Sequence, residues 1–155
     1  MSVEGCASVS CAINKLEENM AHNDQVMVAI RLPSHSLYIS VARAATRSFS
    51  SLIPLTEEER GMIELAVGEA CDNAVRYCDS DADFFEVRLQ NSDSDLIIEV
   101  SNSGSCFIPE RPAAMPDVFA ENGRGLALME YLMDDVEFLP EKDRTTVRMR
   151  KALSR

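Results

Sequence analysis

The stretch TEEERGMIELAVGEACDNAVRYC, residues 56–78, decides how the rest of the chain is read. Thr56 followed by Glu59 three residues on is a capping box, in which hydroxyl and carboxylate each take a backbone N–H that the first helical turn leaves orphaned. A helix therefore starts here. Ile63, Ala66, Val67, Ala70 and Ala74 then recur at helical spacing as one apolar stripe, and the pattern runs to about Cys78. Glu69 and Asn73 stand four apart along the flank of that stripe, beside Met62 and Ala66, so two polar groups line a half-buried edge. A carboxylate there loses hydration unless a ligand, water or metal uses it, which makes Glu69 a candidate general base. The plainer alternative is a pair of boundary residues hydrogen-bonded to their neighbours.

Upstream, VMVAIRL (residues 26–32) is rich in β-branched residues and ends at Pro33, as a first or edge strand does. Leu37, Val41, Ala44, Ala45, Phe49 and Leu52 then keep helical spacing up to Pro54. Residues 1–25 carry only Ile13, Leu16 and Met20 as a weak apolar pattern and read as an N-terminal arm outside a single domain over 26–155. Downstream the period changes from helical to alternating. Phe84–Leu89 and Leu96–Val100 read as a hairpin turning at Asn91-Ser92-Asp93-Ser94. A stretch broken by Pro109, Pro112 and Pro116 follows, too long for a tight connection, and is expected to be a functional loop or lid. Gly123-Arg124-Gly125 leads into an apolar helix, and strands Val136–Leu139 and Thr145–Met149 close the chain. The order β-α-α-β-β-loop-α-β-β predicts an α+β two-layer sandwich, with a mixed, mostly antiparallel sheet and the helices on one face.

Composition removes several function classes. At 155 residues and 46% apolar, the chain can bury one real core. Its net charge of −11 leaves no basic face to dominate binding to a phosphate backbone, so direct nucleic-acid binding is not expected. No apolar run reaches the roughly 20 residues a bilayer requires, and Glu4, Glu17, Glu18 and Asp24 occupy the start in place of a basic leader. A soluble, cytoplasmic protein is the expectation. Five cysteines without a C-x-x-C pair suggest neither a disulfide framework nor a zinc site. Two histidines and no G-x-S-x-G give a Ser/His or Cys/His nucleophile system little to build on.

Two weaker signals complete the set. Gly123-Arg124-Gly125-Leu126 places glycines just before a helix, where free N–H groups and a close backbone approach make a phosphate seat. Val100-x-Asn102-x-Gly104 ends a strand in an amide and a glycine, where a flat base could meet a hydrogen-bonding group. In this order and at this spacing, residues 28–151 resemble the GHKL (Bergerat-fold) ATPase superfamily and, within it, the bacterial anti-sigma-factor serine kinases.

The resemblance implies a histidine-kinase-like ATPase fold that uses ATP and Mg²⁺. It places Glu69 on the catalytic base and Asn73 on the Mg²⁺ ligand. Asn102 and Gly104 fall in the adenine-reading box; Gly123, Arg124, Gly125 and Leu126 fall in the second glycine box. Thr145 and Thr146 fall on the last strand's threonines, which face the adenine side, and Arg43 falls on an arginine that faces the protein partner. The implied reaction phosphorylates a serine on a small anti-sigma-factor antagonist, and a sigma factor competes for the surface near the first helix. Members of that family often form homodimers. Three positions depart from its pattern: Asn102 replaces the adenine-binding Asp, Cys106 the second glycine of that box, and Arg144 the glycine before the paired threonines. An amide oxygen still accepts from the exocyclic amine of adenine. The alternative is a nucleotide-independent protein-binding module of the same fold. A free-standing histidine-kinase-type ATP-binding domain comes third, because no dimerisation helix with a phosphoacceptor histidine is present.

Overall fold

The structure, a computed structural model, describes residues 27–76, 84–103 and 124–154. Strand β1 (Met27–Pro33) passes through a short 3-10 turn at Ser36–Tyr38 into helix α1 (Ile39–Ser50). His35 fixes that entry by accepting the Leu37 N–H at Nδ1, 3.1 Å. Helix α2 spans Glu57–Arg76, and β2 (Phe84–Asn91) and β3 (Asp95–Ser103) follow as a hairpin. Helix α3 (Arg124–Leu132), β4 (Asp135–Glu141) and β5 (Arg144–Ala152) complete the described chain. Val26, the N-terminal arm, Tyr77, Cys78 and the proline-broken loop lie outside the described residues.

The capping box forms as read. Thr56 Oγ1 accepts the Glu59 N–H at 3.2 Å, and Glu59 Oε2 accepts the Thr56 N–H at 2.7 Å. These hydrogen bonds to Thr56 hold the Glu59 carboxyl below the ordinary carboxylate range. The stripe Ile63, Ala66, Val67, Ala70 and Ala74 is buried, as its spacing requires. Cys71 is buried beside it, and burial, with Asp72 nearby, pushes its thiol up to about 12, which leaves it inert.

The five strands form one sheet in the order β1-β2-β3-β5-β4. All four ladders are antiparallel, where the sequence reading allowed a mixed, mostly antiparallel sheet. Strand period two sorts the side chains into two faces. Phe85, Val87, Leu89, Leu96, Ile98, Val100, Val147 and Met149 turn inward and join the buried residues of the three helices in one core. On the opposite face, Arg88, Glu99, Arg148 and Glu137 share one cross-strand row of alternating charge. Glu99 Oε1 accepts from Arg148 Nε at 2.8 Å within that row. One layer of helices thus suffices, because the other side of the sheet is polar and paired. Among the described residues no helix is long and apolar enough to cross a membrane.

Gly61 lies on the exposed side of α2, and a Cβ added there would meet nothing within 4 Å. Gly61→Ala is therefore expected to stabilise the fold by about 0.5–1 kcal/mol through backbone entropy alone. Thermal or denaturant unfolding of the variant checks this; a loss of stability would show a constraint at Gly61 beyond helix propensity.

Candidate functional site

Helix α2 presents Glu69 and Asn73 one turn apart, both half-buried. The first turn of α3 is packed against them. A Cβ built on Gly125 would lie 2.8 Å from Glu69 Oε2 and 3.7 Å from Asn73 Oδ1. Two segments more than fifty residues apart in sequence thus converge: the acid, the amide oxygen and the glycine at the helix start share one spot. Leu126, Ala127 and Met129 are buried and hold that start in place, while Arg124 is exposed at its rim.

Burial pushes the Glu69 carboxyl above its ordinary range, and Asp72 adds to this; Arg124, Arg76 and Arg43 pull the other way. A carboxylate so placed is less hydrated and more proton-avid than that of a surface glutamate. No group of three or more His, Cys, Asp or Glu side chains gathers as a metal cage among the described residues. A hard divalent cation that keeps most of its ligands as water or phosphate oxygens needs one protein oxygen, and Asn73 Oδ1 is of the right kind to be it. Asn73 Oδ1 beside the Glu69 carboxylate is a donor chemistry that fits Mg²⁺ with a phosphate chain, while the space a Cβ at Gly125 would take is reached by Glu69 Oε2 itself.

At the end of β3, Asn102 is 5% exposed and lies on the inward face, two and four residues beyond Val100 and Ile98. Its cross-strand neighbours are Phe85 on β2 and Thr145 on β5. Asn102 therefore stands between Phe85 and Thr145 in one cross-strand row on the inward face, an amide and a hydroxyl side by side that can meet the edge of a flat base. Thr146 does not join them. It pairs with Ser101 and Leu139, and strand alternation turns it to the other face of the sheet, which corrects the expectation that both threonines face one side. Alternation also removes one concern raised by the sequence. Arg144 lies on the outer face, donating to Ser101 Oγ and to Glu86 Oε1 at 3.4 Å, so its side chain points away from Asn102. Gly104, Cys106 and Gly123 lie outside the described residues.

Arg43 reaches from α1 to α2. A Cβ on Gly68 would meet its Cδ at 3.2 Å, and its guanidinium is 3.2 Å from Glu64 Oε1. Arg47 bridges Glu57 at 2.9 Å and Glu64 at 3.2 Å. Arg43 thus lies near Glu69, and both arginines are braced along its helix. Two features escaped the sequence reading. The Glu86 carboxyl gathers Arg31, Arg88 and Arg144; burial alone would raise it, but the Arg88 hydrogen bond and the charges of Arg88, Arg144 and Arg31 hold it below the usual range. The second feature is the seat of Arg43 on Gly68. A glycine inside an otherwise good helix, directly before Glu69, is the signal for it.

A family profile described as a histidine kinase-like ATPase domain matches residues 32–151. A serine-protein kinase RsbW of Bacillus pumilus is 30% identical over 142 residues, covering 83% of this chain and 87% of its own. RsbW proteins of Bacillus velezensis and Bacillus subtilis are each 28% identical, over 82% and 85% of this chain and 86% and 89% of theirs. Among solved structures, the RsbU and RsbW domains of a Mycobacterium tuberculosis protein superpose with a TM-score of 0.64 at 19% identity over 84% of this chain, which spans 33% of that protein. The SiaB–SiaC complex from Pseudomonas aeruginosa gives 0.57 at 13% identity, over 91% of this chain and 98% of that one.

Proposed function

The chain belongs to the histidine kinase-like ATPase domain family, with RsbW serine-protein kinases among its relatives, and from that premise we propose that it is a serine-protein kinase of a partner-switching system. In this reading it binds ATP with Mg²⁺ and phosphorylates a serine on a small anti-sigma-factor antagonist. The observation that carries it is the convergence of Glu69 and Asn73 on Gly125 at the start of α3. A carboxylate, a metal-binding oxygen and a backbone anion seat are the parts phosphoryl transfer from ATP to a hydroxyl requires.

Glu69 accepts the proton of the serine hydroxyl as its oxygen attacks the γ-phosphorus, the bond to the β,γ-bridging oxygen breaks, and ADP leaves. Mg²⁺ would be held by Asn73 and would neutralise charge on the phosphates. The α3 N-terminus, with Arg124 at its rim, holds the phosphate chain by its free N–H groups. Asn102 and Thr145 take the adenine edge.

The partner surface is assigned to the outer side of α1. Leu37, just before α1, is 68% and Val41 on α1 is 48% exposed, four residues apart, while Arg43 projects from the side of α1 that faces α2, braced on Glu64. Exposed apolar side chains on one side of this segment and an anchored arginine on another give a partner two edges to engage. SiaB is known in a complex with SiaC, and by analogy this chain takes a protein partner, the antagonist or a sigma factor in competition.

Asn102 in place of an aspartate favours the second reading, a binding module without nucleotide. Calorimetry with ATP and Mg²⁺, and phosphate transfer to a partner serine, decide between them. Asn102→Asp is expected to tighten ATP by roughly tenfold, since a charge-assisted bond replaces a neutral one at a gain near 1.4 kcal/mol. Asn102→Ala is expected to loosen it. If neither the wild type nor Asn102→Asp binds ATP or ADP at millimolar concentration, the kinase reading is lost and the module remains.

A further inference from the structure

We infer that Gly125 is a positioning residue for the Glu69 carboxylate: the missing side chain keeps open the space that Glu69 Oε2 fills, and so fixes where the base points. The inference rests on the kinase reading above for its consequence in catalysis, but its geometry stands alone.

A glycine in the first turn of a helix is commonly explained by what comes from outside, a phosphate approaching the backbone. Here the space is already used from inside. The nearest atom to a Cβ at Gly125 is Glu69 Oε2 at 2.8 Å, closer than real Cβ contacts go, with Glu69 Cδ at 3.8 Å and Asn73 Oδ1 at 3.7 Å behind it. All three nearest atoms belong to side chains of the α2 flank, and none to α3's own surroundings. A methyl group at Gly125 therefore collides with the far end of a flexible side chain and with no backbone. Such a clash is relieved by rotating Glu69, which leaves the fold intact and moves the base. Alanine is also the better helix residue in the first turn of α3, so the variant should fold at least as well as the wild type.

Gly125→Ala is the test, read in three ways with Gly61→Ala as the control for a glycine that touches nothing. First, kcat for phosphate transfer should fall about tenfold or more, the scale on which sub-ångström to ångström misplacement of a catalytic group is felt, and by a larger factor than any rise in the Kd for ATP with Mg²⁺. Second, Gly125→Ala placed on Glu69→Gln should cost nothing further, because a residue that works only through Glu69 has no effect once the base is gone. Third, the side-chain carboxyl carbon resonance of Glu69, followed by NMR at pH 8 without nucleotide, should move in Gly125→Ala and stay in Gly61→Ala. A tenfold weaker Kd with unchanged kcat, or losses that add to those of Glu69→Gln, would assign Gly125 to the nucleotide and overturn the inference. An unmoved carboxyl resonance would overturn it as well. If the wild type transfers no phosphate, only the kinase reading fails, and the resonance alone then decides whether Gly125 sets the position of Glu69.

Discussion

Glu69→Gln is expected to cut phosphate transfer by a factor of roughly 10² or more while leaving the fold and ATP binding in place, the usual size of a general-base contribution. Glutamine keeps the shape that fills the space beside Gly125 but has no lone pair basic enough to take a serine proton. The pH dependence has a definite sign. Burial disfavours the ionised form and Asp72 repels it, so the wild-type rate should climb with pH through a carboxyl pKa lying above the ordinary glutamate value, and the variant should show no such rise. Stability moves the opposite way. A carboxyl whose folded pKa is raised gives its full contribution below the unfolded pKa and loses it as pH rises through the folded one. The glutamine variant has no such loss, so its unfolding midpoint should gain on the wild type from about pH 4 upward. Transfer at the wild-type rate by Glu69→Gln would end the assignment, and a midpoint difference constant from pH 4 to 8 would deny the strain placed on the carboxylate. A site residue held at a cost to stability is the pattern expected where activity and stability compete.

What could be read without coordinates was what depends on near neighbours in the chain. The capping box at Thr56 and Glu59 and the stripe from Ile63 to Ala74 are written within single turns of α2, so local chemistry determined them. The end of β3 was read short, at Val100, because Ser101-Asn102-Ser103 lacks the apolar alternation of a strand. The ladder runs on to Ser103, since the partners Phe85, Thr145 and Arg144 come from other strands and supply the pairing. Thr145 and Thr146 show the converse error. Adjacent in a motif, they are separated by a sheet, because matching letters in a row ignores a period of two. The Arg144 bonds to Ser101 and Glu86 join residues 43 and 58 positions apart, and the contact of Gly125 with Glu69 is equally remote. No pattern along the chain encodes such meetings; they follow from α2, α3 and the sheet packing on one core.

Asn73→Ala is expected to weaken nucleotide binding on the order of a hundredfold in Mg²⁺ and by less than about threefold in EDTA. Even residues that only support a metal's ligands change metal affinity by about ten- to a hundredfold, so removal of the protein's own hard oxygen belongs at the upper end of that range. The fold should tolerate the change. Asn73 is half-buried on the flank of α2, outside the core, and alanine is the better helix former. The two buffers separate the possible roles: a metal ligand matters only when the metal is there, whereas a residue that shapes the pocket matters in both. Asn73→Asp sharpens the point. It returns an oxygen ligand with a full charge, so magnesium-dependent binding should recover, yet it sets a second carboxylate one turn from Glu69, next to the same Gly125. Like charges that close disfavour joint ionisation, so without magnesium the Asp variant should raise the Glu69 carboxyl further, and the added cation should bring it back down. Equal losses for Asn73→Ala with and without the metal would instead make Asn73 a structural neighbour of the base.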